Sequence, residues 1–177
     1  MYEKECLMKT AAVSLLTVVA GCLILSCSSG KKPEDLNART DKAFAFAGTQ
    51  LRAAVETVAD STRFPVNTDE TGAWKTTADT GWTSGFFPGC LWLMYEYSKD
   101  EAWKKEAIRW TAGLENIKNY TDNHDVGFMI FDSYGQGLRL AADPAYKEVI
   151  LTTAQSLATR YNDTVKSIMS WNPNERW

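Results

Sequence analysis

The sequence has little of several things, and each shortage removes a class of function. Positive charge is not in excess: 19 Lys and Arg stand against 22 Asp and Glu, for a net charge of −3 and a pI near 5.3. No basic stripe appears, which excludes the electrostatic footprint of a nucleic-acid or anionic-membrane binder. Cysteine occurs four times, at Cys6, Cys22, Cys27 and Cys90. The first three lie in the N-terminal segment, so only Cys90 remains for a folded domain. That excludes a disulfide framework and a cysteine metal site. Cys90 sits in the apolar stretch "FFPGCLWLMY", where a buried, inert thiol is expected. No strand pair with hairpin chemistry stands out. Histidine occurs once, at His124.

The longest apolar run, Ala11 to Ser26, is about 16 residues, too short for a confident membrane span. Lys4 and Lys9 precede it and "CSSGKKPED" follows, the layout of a targeting segment. Ile24-Leu25-Ser26-Cys27 resembles a bacterial lipoprotein cleavage box, with lipid on Cys27; Val19-Ala20-Gly21-Cys22 also fits. Cleavage before Cys27 is the better fit, because cleavage at Cys22 leaves "LILS" exposed. The expected organisation is a lipoprotein-type signal over 1–27, a tether over 28–33 and a helical domain over 34–177. The expected location is the periplasm or outer membrane of a Gram-negative bacterium, with membrane contact only through the lipid.

What is present is helical periodicity. Leu36, Ala43, Ala47, Leu51, Ala54, Val55 and Val58 recur at three- and four-residue steps and predict a helix from Glu34 to about Asp60. Thr68 to Gly81 is polar, Thr-rich and broken by Gly, and reads as a long loop. Thr83 to Asp100 predicts a buried helix with a Ser or Thr cap. Glu101 to Asn119 predicts a second helix whose stripe is Trp103, Ala107, Trp110, Leu114 and Ile117. The short "SKD" between them predicts an antiparallel pair. Asn119 to about Asp132 reads as a glycine-bearing loop, Ser133 to Asp143 as a short helix, and Pro144 to Asn162 as a strong one capped by Asp143. The fold class is all-α, with helical hairpins joined by alternating short and long loops. The long loops are expected to share one end.

Seven Trp, seven Tyr and seven Phe supply either a core or the flat walls of a sugar cleft. Two loops concentrate the chemistry. "TADTGWTSGFFPG" places Asp79, Trp82, Thr83 and Ser84 at the start of one helix. "NHDVGFM" places His124 and Asp125 at the start of another. An acid can donate a proton near neutral pH only in a setting that disfavours its ionised form, and Val126, Phe128 and Met129 around Asp125 are of that kind. Asp125 also reads as a plain helix N-cap, and His124 as a structural histidine.

The stretches "TGWTSGFFPGCLWLMYEYSKD", "WTAGLENIKNYTDNHDVGFMIFDSYGQG" and "YKEVILTTAQSLATRYNDTVKSIMSW" together resemble the N-terminal half of the unsaturated glucuronyl hydrolases, glycoside hydrolase family 88. The resemblance runs from about Ala38 to Trp177. It implies an (α/α)6 barrel, here truncated to roughly its first half. It implies action on lyase-generated oligosaccharides, of glycosaminoglycan type, that carry a 4,5-unsaturated uronic acid at the non-reducing end. The family hydrates the C4=C5 vinyl ether, with no metal and no organic cofactor. The carboxylate-spacing rule of ordinary glycosidases therefore does not apply.

By the same resemblance Asp125 is one of two key acids, Trp82 lines the substrate pocket and His124 matches the family's histidine. The family's second acid lies in a D-x-M-M-N-like motif beyond "WNPNERW". The 177 residues by themselves are therefore expected to leave apolar helix faces open and to show no normal turnover. Two alternatives stay open: an unsaturated rhamnogalacturonyl hydrolase, and a non-catalytic, lipid-anchored sugar-binding fragment.

Overall fold

The computed structural model describes residues 35–172. The signal segment, the tether and Cys27 lie outside the described residues. Two compact units divide at Asp41 and Lys42, and the packing described below belongs to the second.

Helix α1 (Leu36–Val58) falls within the predicted span. After it comes a departure from expectation. The stretch read as a loop, Thr68 to Gly81, carries the turn and second strand of an antiparallel hairpin, β1 (Phe64–Thr68) and β2 (Trp74–Thr77), with Phe64 opposite Thr77 and Thr68 opposite Trp74. The register slips between Pro65 and Asn67, and a proline without an N–H is tolerated at such an irregularity. The turn is built by Asp69. Its Oδ1 accepts from the N–H of Thr71 at 2.8 Å, the hydroxyl of Thr71 at 2.7 Å and the N–H of Ala73 at 3.0 Å. Gly72 takes φ +84°, where a side chain would be strained. Phe64 is fully buried and meets Trp110 edge-to-face at 5.9 Å, so the hairpin closes over the core.

Helix α2 (Phe86–Ser98) and α3 (Glu101–Ala112) form the predicted pair. Lys99 turns the chain with φ 58° and returns its N–H to the Tyr95 carbonyl. Asp100 then caps α3 by accepting from Ala102 N–H at 2.9 Å. Between the two helices the indole N–H of Trp92 donates to Thr111 Oγ1 at 2.9 Å, fully buried. The predicted stripe of α3 is buried throughout, and each large side chain contributes roughly 1.5–3 kcal/mol by leaving water. The second predicted helix stops early, because Gly113 and Leu114 lead into a separate 3-10 turn (Glu115–Asn119).

The stretch after Asn119 is a second departure. It is irregular only as far as Asp125. From there α4 (Val126–Ile130), a π-helical turn (Phe131–Gly135) and α5 (Gln136–Ala141) run on as one rod, with right-handed helical backbone at each junction. Gly127 made its stretch look like a loop, yet packing holds it in helix, and the short helix expected from Ser133 is the lower part of this rod. Helix α6 (Pro144–Ala158) starts as predicted, with Asp143 accepting from Ala145 N–H at 2.9 Å. It packs on α4, the π turn and the 3-10 turn. Beyond α6 the chain forms a short hairpin of two-residue strands, β3 (Tyr161–Asn162) with β4 (Ser167–Ile168). No described helix is long and apolar enough to cross a membrane.

Candidate active site

The turn before α2 is set by buried polar contacts. Ser84 is fully buried and its hydroxyl donates to the Asp79 carbonyl at 2.8 Å. The Asp79 carboxylate accepts from Thr80 N–H at 2.8 Å. The expected Ser or Thr cap is absent: Gly85 occupies the N-cap position and no side chain caps α2. Gly85 is needed for another reason. A Cβ there would lie 2.1 Å from the Met129 carbonyl oxygen and 2.6 Å from Met129 Cα. The turn thus lies directly on the backbone of α4, which brings the two predicted loops together.

The contact creates a partly open aromatic wall. Phe86 stacks on Phe128, with centroids 5.7 Å apart and planes at 18°. Trp82 stands edge-on to both, at 5.8 Å from Phe86 and 6.3 Å from Phe128. Trp82 is 53% exposed, so it is a surface aromatic and not core. Phe128 lies about one helical turn after Asp125.

Asp125 is 7% exposed. It stands at the first residue before α4, but its side chain makes no cap bond, so the plain N-cap role is not the one it plays. Its own N–H donates to Asn123 Oδ1 at 2.9 Å, which fixes the turn. Its Oδ1 lies 3.5 Å from His124 Nε2. The other side of the imidazole is held by Ser170, whose carbonyl oxygen faces His124 Nδ1 at 3.0 Å and also accepts the His124 main-chain N–H at 2.9 Å. A carbonyl has no proton to give, so Nδ1 carries one and donates. Nε2 is then left facing the carboxyl group. That contact is attractive only when one proton resides on Nε2 or on Asp125. Trp171 meets the His124 ring edge-on at 4.7 Å.

Beside the wall, Phe86 also lines an open groove of about 280 Å³ with Gly89, Cys90, Leu93, Asp132 and Gln136. Cys90 is exposed here, against the expectation of a buried thiol. Its neighbours Gly89 and Leu91 are buried, and Cys90 lies between them on the open side of α2. Surrounding protein and the Asp132 carboxylate still push its thiol above the usual range. Burial likewise raises the Asp132 carboxyl.

Of the residues chosen from sequence, Trp82 meets Phe128, three residues after Asp125, and His124 lies against Asp125. Sequence reasoning did not identify Phe86, Phe128, Ser170 or Trp171 as parts of the site. Phe128 was recoverable from its three-residue step after Asp125. Ser170 and Trp171 carry no local signal, because they arrive from 46 residues away.

Comparison with known proteins gives a consistent answer. No protein-family model matches the chain. An unsaturated glucuronyl hydrolase from Formosa agariphila is 50% identical over 95 residues, which is 53% of this chain and 24% of that protein. An unsaturated chondroitin disaccharide hydrolase from Streptococcus pyogenes serotype M1 is 34% identical over 113 residues, 61% of this chain and 28% of that protein. The chain thus spans about a quarter of the length of the curated relatives it matches. The crystal structure of an unsaturated glucuronyl hydrolase specific for heparin superposes with a TM-score of 0.71 at 35% identity, over 76% of this chain and 36% of that one. A Streptococcus agalactiae unsaturated glucuronyl hydrolase, an Asp-to-Asn mutant complexed with dGlcA-GalNAc6S, superposes with a TM-score of 0.60 at 30% identity, over 68% and 32%. In both sequence and fold the chain is similar to a part of the unsaturated glucuronyl hydrolases.

Proposed function

We propose that this chain supplies one acid and one wall of a site that hydrates the C4=C5 double bond of an unsaturated uronic acid at the non-reducing end of an oligosaccharide. A proton is delivered to C4, water adds at C5, and the resulting hemiketal opens to release the remaining sugar. Asp125 serves as one of the two acids of that reaction, in partnership with His124, and Trp82 presents its exposed face to the sugar ring. The observation that carries the reading is the nearly buried Asp125 carboxyl, free of capping duty and set against a histidine whose far nitrogen is already committed. An aromatic wall one turn away fits a pyranose face. The relatives named for chondroitin disaccharides and for heparin make glycosaminoglycan-derived disaccharides the substrates to try first.

The test follows the loss of ultraviolet absorbance of the unsaturated uronide in the presence of the protein. Asp125→Asn keeps the shape and removes the proton, and activity should fall by at least a hundredfold, the scale of a lost general acid. Full activity in that variant would sink the assignment. Binding of the disaccharide without turnover by the unaltered protein would instead support a sugar-binding role. The lipid anchor belongs to the same proposal and rests on Ile24-Leu25-Ser26-Cys27 alone. Labelled fatty acid should enter the protein and be lost in Cys27→Ala.

A further inference from the structure

Arg160 follows α6 and is 7% exposed. All of its acceptors are neutral. Nε donates to the Met169 carbonyl at 2.8 Å and Nη2 to the Ser170 carbonyl at 3.2 Å. Nη1 donates to the Thr121 carbonyl and to Asn172 Oδ1, the latter at 3.4 Å. Among the described residues no carboxylate pairs with it. Arginine is seldom this buried without an acid. Here its fork of donors is spent on two stretches of chain, 120–125 and 169–172, neither of which belongs to a helix or strand. Irregular segments have few ladder bonds to hold them, so a guanidinium that reaches both decides where they meet.

They meet at His124. The Ser170 oxygen that takes the Arg160 proton also takes the His124 main-chain N–H at 2.9 Å and faces Nδ1 at 3.0 Å. One oxygen therefore anchors both the backbone and the ring of the histidine, and Arg160 anchors that oxygen. The Arg160 carbonyl closes the arrangement by accepting from Met169 N–H at 3.0 Å. We infer that Arg160 is a positioning residue for the His124–Asp125 pair: by fixing the Ser170 carbonyl it sets the ring orientation and tautomer of His124, and so aims Nε2 at Asp125. The inference rests on the proposed reaction only in giving that pair a catalytic purpose. The geometry can be tested without turnover.

His124 is the only histidine in the chain, so its ring nitrogens can be read without overlap in a 15N-labelled sample. The unaltered protein should show a protonated, exchange-protected Nδ1 and a distinct Nε2. Arg160→Lys keeps the charge, but a point-like ammonium cannot serve three carbonyls in a fork. The expected result is loss of the protected Nδ1–H with an unchanged far-ultraviolet circular dichroism spectrum. Where the unaltered protein turns over, kcat should fall at least tenfold while KM stays within twofold. A folded Arg160→Lys protein that retains the protected Nδ1–H overturns the inference, whatever its activity.

If that variant does not fold, the unaltered chain decides. In urea below the global transition, Arg160 Nε–H and His124 Nδ1–H must lose protection together, and an Nδ1–H that outlasts the arginine overturns the inference. A correct ring signature in a protein that hydrates nothing refutes the proposed reaction and leaves the positioning role supported.

Discussion

Gly85→Ala is the sharpest test of how the two halves of the site are joined. The added Cβ would sit 2.1 Å from the Met129 carbonyl oxygen and 2.7 Å from its carbonyl carbon. Ordinary contact is no closer than about 3.4 Å, so the backbones must part by more than about 1 Å; forced insertion of a methyl into a packed interior costs about 1–3 kcal/mol. The atoms in the way are main chain within a helix, which cannot rotate aside, so the upper end, about 3 kcal/mol, is expected. For a domain of this size that lowers Tm by roughly 6–12 °C.

Gly127→Ala is the control. It adds the same methyl two residues from Met129, but the nearest atom is Leu157 Cδ2 at 3.3 Å, the end of a side chain that can move. Relief of helix-interior glycine is worth about 0.5–1 kcal/mol, so this variant should be neutral or slightly stabilised. Urea and thermal unfolding followed by tryptophan fluorescence measure both. Near-ultraviolet circular dichroism reports whether the Trp82, Phe86 and Phe128 rings have separated. Equal stability of the two variants, or an unchanged aromatic spectrum in a destabilised Gly85→Ala protein, would refute the claim that Gly85 sets the site.

Three further outcomes follow from the packing. Thr111→Val removes the acceptor of the buried Trp92 indole and should cost about 1–3 kcal/mol in urea unfolding, with Thr111→Ser close to unaltered. Asp132 has a carboxyl raised by burial, so its contribution to stability is fully present below its unfolded pKa and lost as pH rises through the folded one. Asp132→Asn should therefore raise Tm at neutral pH and leave it nearly unchanged only below the ordinary carboxyl value of 3.8; an equal gain at both would contradict this. Cys90 is exposed but its thiol is raised, so peptide mapping should find it alkylated in the native protein, slowly at neutral pH and faster as pH increases past the usual thiol range.

The helices were legible where the sequence repeats every three or four residues. The stripe of α3 and the Asp143 cap of α6 are written locally, and tertiary contacts only confirm them. The hairpin β1–β2 was not legible, because a proline in one strand and a run of threonines hid the alternation. Its turn was nonetheless spelled in Asp69, Thr71 and Gly72. The lower part of the rod was expected from Ser133, but its start at Val126 was hidden by Gly127, whose low helix propensity is overridden by packing on α6. In the site, His124 and Asp125 were marked by scarcity and by their neighbours. The carbonyl of Ser170 was invisible, since any residue type supplies one.

The π turn in that rod governs how the helix is wound. Asp125, Met129, Ser133 and Gly137 are all buried, as are Val126, Ile130 and Tyr134. Their spacing is four residues each time. An uninterrupted α-helix advances about 100° per residue, so each four-residue step overshoots by about 40°, and three steps carry the stripe about 120° around the axis. A locally underwound turn absorbs that drift, so the acid at the top of the rod and the glycine against Tyr146 near its foot stay on one side. Winding Phe131–Gly135 as regular α-helix with no residue lost would rotate everything beyond it by about 100°, turning Arg139, the partner of Glu96, away from α2, whereas deleting one residue there restores regular winding and leaves Arg139 facing its partner.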